Sequence, residues 1–572
     1  MAYRAPLIDF QFLLDNVVGF GQVTETDLFA EATGDVVAAI LREAGRLSEE
    51  VLAPLQRNGD TEGAVLENGV VRTSPGFGDG YRAIAEGGWV GMIASVESGG
   101  MGLPQTVASA VNEMMASACL SLQLNPLMTQ GQIEALDQHA SAEIKAIYLP
   151  KLISGKWCGT MNLTEPQAGS DLGALRCKAQ PNGDGSYAIT GQKIFISWGD
   201  NDFTENVCHL VLARLPDAVA GTRGISLFMV PKWIPDASGN PGRTNRLKVV
   251  SLEHKLGLHG SPTAVMEFDA ATGWLVGEPH AGMKTMFIMM NNARLGVGVQ
   301  GIGQAEGAYQ HALAFAMQRK QGKSPIMDGV GAIIDHADVR RMLATMKAET
   351  QAARAIALAC AVAIDMERAT GSVDWRARAA LLTPIAKAFG TDIGCEVAHM
   401  GVQVHGGMGY IEETGAAQYA RDVRVTAIYE GTNGIQCMDL VGRKLADGGE
   451  AAYRLLDEIQ ADSETARMAL QDLAAKVWDA AETLRETTEW LVAQNDVNER
   501  YAGSAPYLRA FARVLGGHFH LKSALAEGGG GPRSRLAEFY ITRLMPEHSS
   551  LLAHAREGAR GQIGRASCRE RV

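Results

Sequence analysis

The eight cysteines of this 572-residue chain (119, 158, 177, 208, 360, 395, 437 and 568) include no CxxC pair. Neither a zinc site nor a disulfide framework is therefore expected, and no metal is assigned. Scattered thiols suit a reducing compartment, so the expected location is cytoplasmic. No apolar run is long enough to cross a bilayer; residues 355–364, the longest helix-like one, read as core. The opening MAYRAPLIDF reaches Asp9 before a signal-type apolar segment can form. Clustered Lys or Arg is missing too, and 52 basic against 64 acidic residues leave a net charge of −12. An acidic chain without a basic stripe is not expected to bind nucleic acid or an anionic membrane. No repeat of fixed period occurs.

What is present is an ordinary globular composition, 46% hydrophobic and 20% charged, which supports a large core and excludes dominant disorder. The length suggests three or four domains at ~150 residues each. Residues 1–35 read as an extension, with Phe10, Leu13, Leu14, Val17 and Val18 at helical spacing. Residues 36–155 continue helical: Val36, Val37, Ile40, Leu41, Ala44 and Leu47 form one face, and Pro104, Pro126 and Pro150 punctuate the run. Near Trp157 segments shorten and β-branched residues increase, marking a β domain over 156–278. Its strands are expected around the alternating Tyr187, Ile189, Ile194 and Ile196, and at 209–215, 224–230 and 265–268, with a turn at 181–186. Helices return over 279–445, notably 286–319 and 338–366. An additional helical domain follows over 446–562, its glycines 528–531 marking a loop before Pro532. The last ten residues, IGRASCRERV (563–572), resemble a translated sequencing adapter, with a natural basic tail as the alternative.

Three motifs carry candidate chemistry. Met161-Asn-Leu-Thr-Glu-Pro-Gln-Ala-Gly-Ser-Asp171 is a loop at the helical-to-β junction, where hydroxyls and a glycine can meet a ligand or simply decorate a turn. Gln403-Val-His-Gly-Gly-Met-Gly-Tyr410, followed by Arg421-Asp422, has three glycines in four positions, which free backbone N–H groups for a diphosphate. A helical pattern precedes it, so it is not a strand–turn–helix dinucleotide fingerprint. Ala427-Ile-Tyr-Glu-Gly-Thr-Asn-Gly-Ile-Gln436 places a lone carboxylate, Glu430, in an apolar approach, with Thr432 or Asn433 able to cap a helix from Gly434. A desolvated carboxylate suits a general base; a Glu on a solvated face is the alternative.

Together with Gly191-Gln-Lys-Ile-Phe-Ile-Ser197, these motifs resemble the acyl-CoA dehydrogenase family over about residues 36–445. The resemblance implies an α+β multidomain fold: a helical domain, a β-barrel-like domain and a helical bundle, here followed by an extra C-terminal helical domain. It implies FAD held between the β domain and the bundle. Met161, Leu163 and Thr164 would line the flavin, with Phe195, Ile196 and Ser197 on the other β segment. Arg319 would reach the FAD of a neighbouring subunit, and Gln403, Gly406 and Gly407 would hold that FAD's adenine end and diphosphate. Thr432 would contact FAD beside the base, and Ser170, Asn291, Arg294 and Gly431 would bind the substrate and its CoA. Glu430 matches the catalytic base. A subset of the family carries the base just before the arginine matching Arg294, but here that residue is Ala293, which cannot abstract a proton. Departures from the family pattern are Asn291 for Asp, Gln418 for a basic residue, Gly434 for a polar one, His259 for Arg, and His405 within the glycine segment. They mark a subfamily.

The extension and the extra domain resemble a larger bacterial branch. The implied reaction is dehydrogenation of 3-methylthiopropanoyl-CoA to methylthioacryloyl-CoA, with a short- or medium-chain fatty acyl-CoA as the alternative substrate. The implied partners are the acyl-CoA and an electron-transferring flavoprotein as acceptor, with oxygen as the other acceptor left open, and the implied assembly is a homodimer. A DNA-binding branch of the same fold needs a basic C-terminal face, which the mixed charges of 446–562 do not provide.

Overall fold

The computed structural model describes residues 3–562; the last ten residues, with Cys568 and the adapter reading, lie outside the described residues. Helix α1 (Leu7–Asn16) buries Phe10, Leu13 and Leu14, and the chain leaves the helix before Val17 and Val18, which are buried all the same. After α2 (Gly34–Leu47) the expected all-helical run is interrupted by a small hairpin, Val65–Glu67 with Val70–Arg72. Beyond a short helix, Phe77–Glu86, comes the 35-residue α3 (Gln105–His139), which is buried almost throughout. Its break is not at Pro126, which stays inside the helix, but at Cys119, whose φ/ψ of −156/89 is non-helical. The carbonyls on either side of that kink are satisfied from elsewhere in the fold. Gln304 Nε2 donates to Ala116 O at 2.7 Å, and Trp198 Nε1 donates to Ser121 O at 3.1 Å. Helix α4 (Ala142–Ile153) likewise absorbs Pro150.

The β domain contains β1 (Trp157–Asn162), β2 (Lys178–Pro181), β3 (Tyr187–Ser197), β4 (Asn206–Arg214), β5 (Ile225–Pro231), β6 (Leu247–Leu252) and β7 (Thr263–Val276). β7 pairs with both β3 and β5, and β4 pairs with both β2 and β5. With β2 beside β3, these pairings close a ring and give the barrel-like form. Most pairings are antiparallel; β4 runs parallel to β1 and meets β2 at a single parallel bridge. The turn at 181–186 joins β2 to β3, with Gly183 and Gly185 at positive φ and Asn182 N donating to Ser186 O. β1, β2 and β6 have no counterpart in the expected strands. β1 is buried on nearly every residue, so it shows no alternation to read.

The bundle follows: α5 (Gly282–Gln318), α6 (Ala337–Thr370) and α7 (Val373–His405), packed with α3. α5 and α7 touch backbone to backbone. A Cβ on Gly301 would lie 2.5 Å from Gly390 O, and one on Gly390 would lie 2.7 Å from Gly298 O. Short helices α8 (Ala416–Val423) and α9 (Asn433–Asp439) close this domain. The C-terminal domain is helical: α10 (Glu450–Ala466), α11 (Gln471–Ala493), α12 (Ser504–Glu527), α13 (Pro532–Phe539) and α14 (Glu547–Arg556). Glycines 528–531 form the loop before α13. Among the described residues, no helix is long and apolar enough to cross a membrane.

Buried charge ties the ends of the chain to this bundle. Arg354, fully buried in α6, donates to Glu113 of α3 at 2.8 Å and to Glu306 of α5 at 2.7 Å. Its guanidinium lies 4.9 Å from the ring of Phe10 in α1. Asp9 bonds Lys347 of α6 at 2.6 Å and Arg533 of α13 at 3.0 Å. The N-terminal extension is thus built into the core, packed under both the bundle and the C-terminal domain.

The α5–α7 contact predicts a specific cost. Gly301→Val should lower stability by about 1–3 kcal/mol through overpacking. Gly21→Ala, where a Cβ meets nothing within 4 Å, should stay within about 0.5 kcal/mol of the parent. Urea-unfolding midpoints of the two variants check the contrast.

Candidate active site

Glu430 sits in a turn between α8 and α9. Its φ is +54° and that of Gly431 is +85°, two successive left-handed residues. For a non-glycine residue this conformation costs roughly 1–3 kcal/mol and persists only where the surroundings impose it. Here the start of α9 imposes it. Thr432 Oγ1 caps α9 by accepting from Ile435 N at 3.3 Å, so the helix begins at Asn433 and not at Gly434. Gln436 Nε2 donates to Gly431 O at 3.2 Å. A Cβ on Gly431 would lie 2.7 Å from that same Nε2, which explains the glycine.

The half-buried Glu430 carboxyl has no hydrogen-bond partner among the described residues, and burial pushes it up to about 7. Lys387 and then Arg294 oppose that rise. Its neighbour Tyr429 donates its hydroxyl to Gln300 Oε1. From there a buried amide chain continues: Gln300 to Gln123 at 2.8 Å, Gln123 to Asn112 at 3.2 Å, and Asn112 to Gln130 at 3.1 Å. This chain fixes Tyr429 against α5 and α3.

Arg294 of α5, 4% exposed, pairs with Asp439 at the far end of α9 at 3.5 Å and stacks 5.2 Å from the Phe287 ring. Its Nη1 donates to Asn291 Oδ1 at 3.4 Å, while its buried Nε donates to nothing among the described residues. One short helix therefore carries the carboxylate that anchors Arg294 at one end and follows Glu430 at the other. A cavity of about 310 Å³ opens beside Asn291 and Arg294, walled also by Asp439, Lys444, Thr383 and Pro384. Of the four residues expected to bind substrate it gathers Asn291 and Arg294. Ser170 lies exposed in its loop, and Gly431 belongs to the base's turn. Ala293 is buried and apolar, which leaves Glu430 as the base candidate.

The expected flavin residues lie on two adjoining β segments. Met161 is in β1 itself, not in a loop; Leu163 and Thr164 follow the strand, and all three are half-buried. Phe195, at φ +60°, is 59% exposed, and Ser197 is half-buried. Ile196 is different. A bulge at Ile194–Phe195, where Lys193 opposes Met266 but Ile196 opposes Ala264, turns its side chain inward, 2% exposed, among Val211, Ala264 and Met266, so only its backbone can face a ligand. A buried ion pair joins the segments: Lys193 Nζ donates to Glu165 Oε1 at 2.8 Å and to Leu163 O at 3.0 Å. Glu165 also accepts from Arg176 N and Cys177 N, and these partners hold its carboxyl below the usual range against burial.

The remaining expected cofactor residues gather at another end of the bundle. His405 stacks 4.5 Å from Phe315, which brings the end of α7 beside the end of α5. Arg319 and Gln403 are exposed there, and Cβ atoms built on Gly406 and Gly407 meet nothing within 4 Å. His405 itself is core: burial lowers its pKa, and Nδ1 contacts Gly401 O at 2.7 Å. Two further departures from the family pattern, His259 and Gln418, are structural as well, and so is Arg421 of the second motif. Arg421 forks onto Asp60 at 2.7 and 2.6 Å, Asp60 faces His259 at 3.1 Å, and Gln418 donates to Gln56 O at 2.8 Å.

Two groups at the site escaped sequence reading, Lys387 and the Glu165–Lys193 pair. Each had a signal. Lys387 is a lone cation among Pro384, Ile385, Ala386, Ala388 and Phe389, and Lys193 stands on the inward side of its strand with Ile189.

The site can be set beside known proteins. Family models described as the N-terminal, middle and C-terminal domains of acyl-CoA dehydrogenase match residues 37–156, 160–271 and 280–446. One described as acetyl-CoA dehydrogenase C-terminal like matches 455–563. The chain is 46% identical to 3-methylmercaptopropionyl-CoA dehydrogenase of Ruegeria pomeroyi over 95% of this chain and 94% of that one. It is 32% identical to a butyryl-CoA dehydrogenase of Syntrophomonas wolfei over 91% and 89%. The crystal structure of ACDH-11 from Caenorhabditis elegans shares the fold with a TM-score of 0.78 at 20% identity, covering 97% of this chain and 95% of that one. With three successive domain models matched over most of its length, the chain belongs to the acyl-CoA dehydrogenase family.

Proposed function

We propose that the protein is an FAD-dependent dehydrogenase that removes one hydrogen each from the α and β carbons of an acyl-CoA thioester. The observation that carries this is Glu430: a left-handed, unbonded carboxyl raised to about 7, beside the under-partnered Arg294 and next to a buried Ala293 that cannot serve as base. The residues present fit FAD. Gly406 and Gly407 present an open backbone face, and Phe195 is an exposed aromatic on the rim of the β domain. Met161, Leu163, Thr164, Phe195, Ser197, the Ile196 backbone and Thr432 would hold its flavin end. Arg319, Gln403, Gly406 and Gly407 would hold the adenine end and diphosphate belonging to a neighbouring copy, which makes the working unit a homodimer. Bound FAD supplies the hydride acceptor.

The chain's own residues handle the proton. The Glu430 carboxylate takes it from the carbon α to the thioester carbonyl, and its near-neutral pKa keeps a usable ionised fraction while retaining basicity. The backbone N–H of Glu430 has no backbone acceptor among the described residues and can donate to the developing enolate oxygen. Arg294, with its orphaned Nε and the adjoining cavity, suits the CoA end. The substrate we favour is 3-methylthiopropanoyl-CoA, on the strength of the 46% identity over nearly the whole chain; butanoyl-CoA is the second reading, favoured by the 32% relative. An electron-transferring flavoprotein is the proposed acceptor and the cytoplasm the proposed location.

Four outcomes are expected. Glu430→Gln should keep yellow, FAD-loaded protein and lose at least about 100-fold in kcat, the usual worth of a positioned base; near-parental turnover would refute the assignment. The parent's kcat/KM should climb with pH to a plateau above about 7, because the base works only when deprotonated. In a panel of 3-methylthiopropanoyl-, butanoyl- and octanoyl-CoA, the first should give the highest kcat/KM. Lys193→Met should release FAD during gel filtration, since it strands the buried Glu165 between the two flavin segments.

A further inference from the structure

We infer that Lys387 is a positioning residue for Glu430: its buried ammonium, anchored on Asn433, holds one side of the base's turn and supplies the counter-charge that lets the base ionise. The inference rests on the proposed role of Glu430. Lys387 is wholly buried in α7, and its Nζ donates to Asn433 Oδ1 at 2.9 Å. Asn433 is the first residue of α9, three positions after Glu430. Its side chain is held further by Thr391 and by Asp392, to which Nδ2 donates at 2.7 Å. Between Asn433 and Glu430 lie only Gly431 and the capping Thr432, so fixing Asn433 on α7 fixes the exit of the left-handed turn.

The chemistry of the lysine adds a second role. A buried ammonium is costly unless charge of opposite sign lies near. Lys387 meets Asp392 only through the Asn433 amide, and among the described residues it forms no direct ion pair. The groups facing it are Glu430 from the turn, Asp392 from its own helix, Cys437 from α9 and the like-charged Arg294 from α5. Glu430 in turn faces Lys387 and Arg294, and Arg294 is already engaged by Asp439. The attraction of Lys387 therefore falls first on the base and then on Asp392. Burial lowers its own pKa to about 8, with Glu430 and then Asp392 opposing, and Lys387 is the foremost group holding Glu430 down. Removing the cation should leave the turn largely bonded but make the base harder to ionise.

The test uses FAD-loaded holoenzyme and two readouts. Lys387→Gln, or Lys387→Met if the first does not fold, should move the acid limb of kcat/KM upward by one pH unit or more. That is about tenfold less activity at a pH below the limb. Asn433→Ala keeps the cation and loosens the turn, so it should lower kcat without moving the limb. The second readout needs no substrate. An acid raised from 4.5 to about 7 by folding costs stability progressively as pH rises through that window. Glu430→Gln should therefore raise the thermal midpoint at pH 8, and should raise it more in the Lys387→Gln background than in the parent. An unmoved limb together with additive midpoints would overturn the inference. A parent inactive on every thioester sinks the proposed reaction instead, and the midpoint cycle still decides whether Lys387 and Glu430 are coupled.

Discussion

The backbones of α5 and α7 touch, and that contact sets where the charged groups around Glu430 stand. Gly298 and Gly301 on one helix meet Gly390 and Gly394 on the other, each so close that a methyl group would overlap a carbonyl. Arg294 precedes Gly298 by one turn, and Lys387 precedes Gly390 by about one turn. Any side chain at these crossings would push the helices apart and carry both cations away from the base. The turn of Glu430 and Gly431 is then seated against this pair by Asn433 on α7 and by Tyr429 on Gln300 of α5. Backbone proximity, obtained by omitting side chains, is what makes a three-charge site possible in a helical core.

Charge is treated in two ways within one fold. Where the structure needs permanence, buried ions are fully matched: Arg354 between two glutamates, and Glu165 with a lysine and two backbone donors. Breaking such a matched set is expensive because it leaves an unpaired charge in low dielectric. Around Glu430 the matching is left incomplete. The carboxyl has no hydrogen bond, Arg294 has an idle Nε, and Lys387 holds an amide in place of a carboxylate. Incomplete pairing keeps the base near neutrality and leaves donors for a ligand, at some expense in stability. The same division separates the motifs. Glu165, Arg421 and Asp422 build the frame, whereas Glu430, Thr432 and Arg294 stand at the site.

Much of this was legible beforehand, and for identifiable reasons. Composition and periodicity marked the helical, β and helical sections, because amphipathic repeats and clustered turn residues are local properties. The strand around Tyr187–Ile196 and the glycine loop before Pro532 could be read in this way. Strand β1 could not, because burial on both sides erases alternation. The kink at Cys119 was hidden because the groups that satisfy its carbonyls, Gln304 and Trp198, are remote in sequence. Ile196 was grouped with Phe195 and Ser197 by motif, yet a bulge just before it, set by the register with β7, turns it inward.

The sequence by itself determined the order of the helical and β sections and singled out Glu430 as the candidate base. Glu430 could be singled out because Ala293 removes the alternative and because a lone carboxylate in an apolar run is a local anomaly. Only the tertiary structure decided what that carboxylate experiences. The two cations that oppose its burial, Lys387 from α7 and Arg294 from α5, come from segments at least about forty residues away. Desolvation and Coulomb interaction act through space, and no local pattern in the chain records which distant side chains will share a pocket.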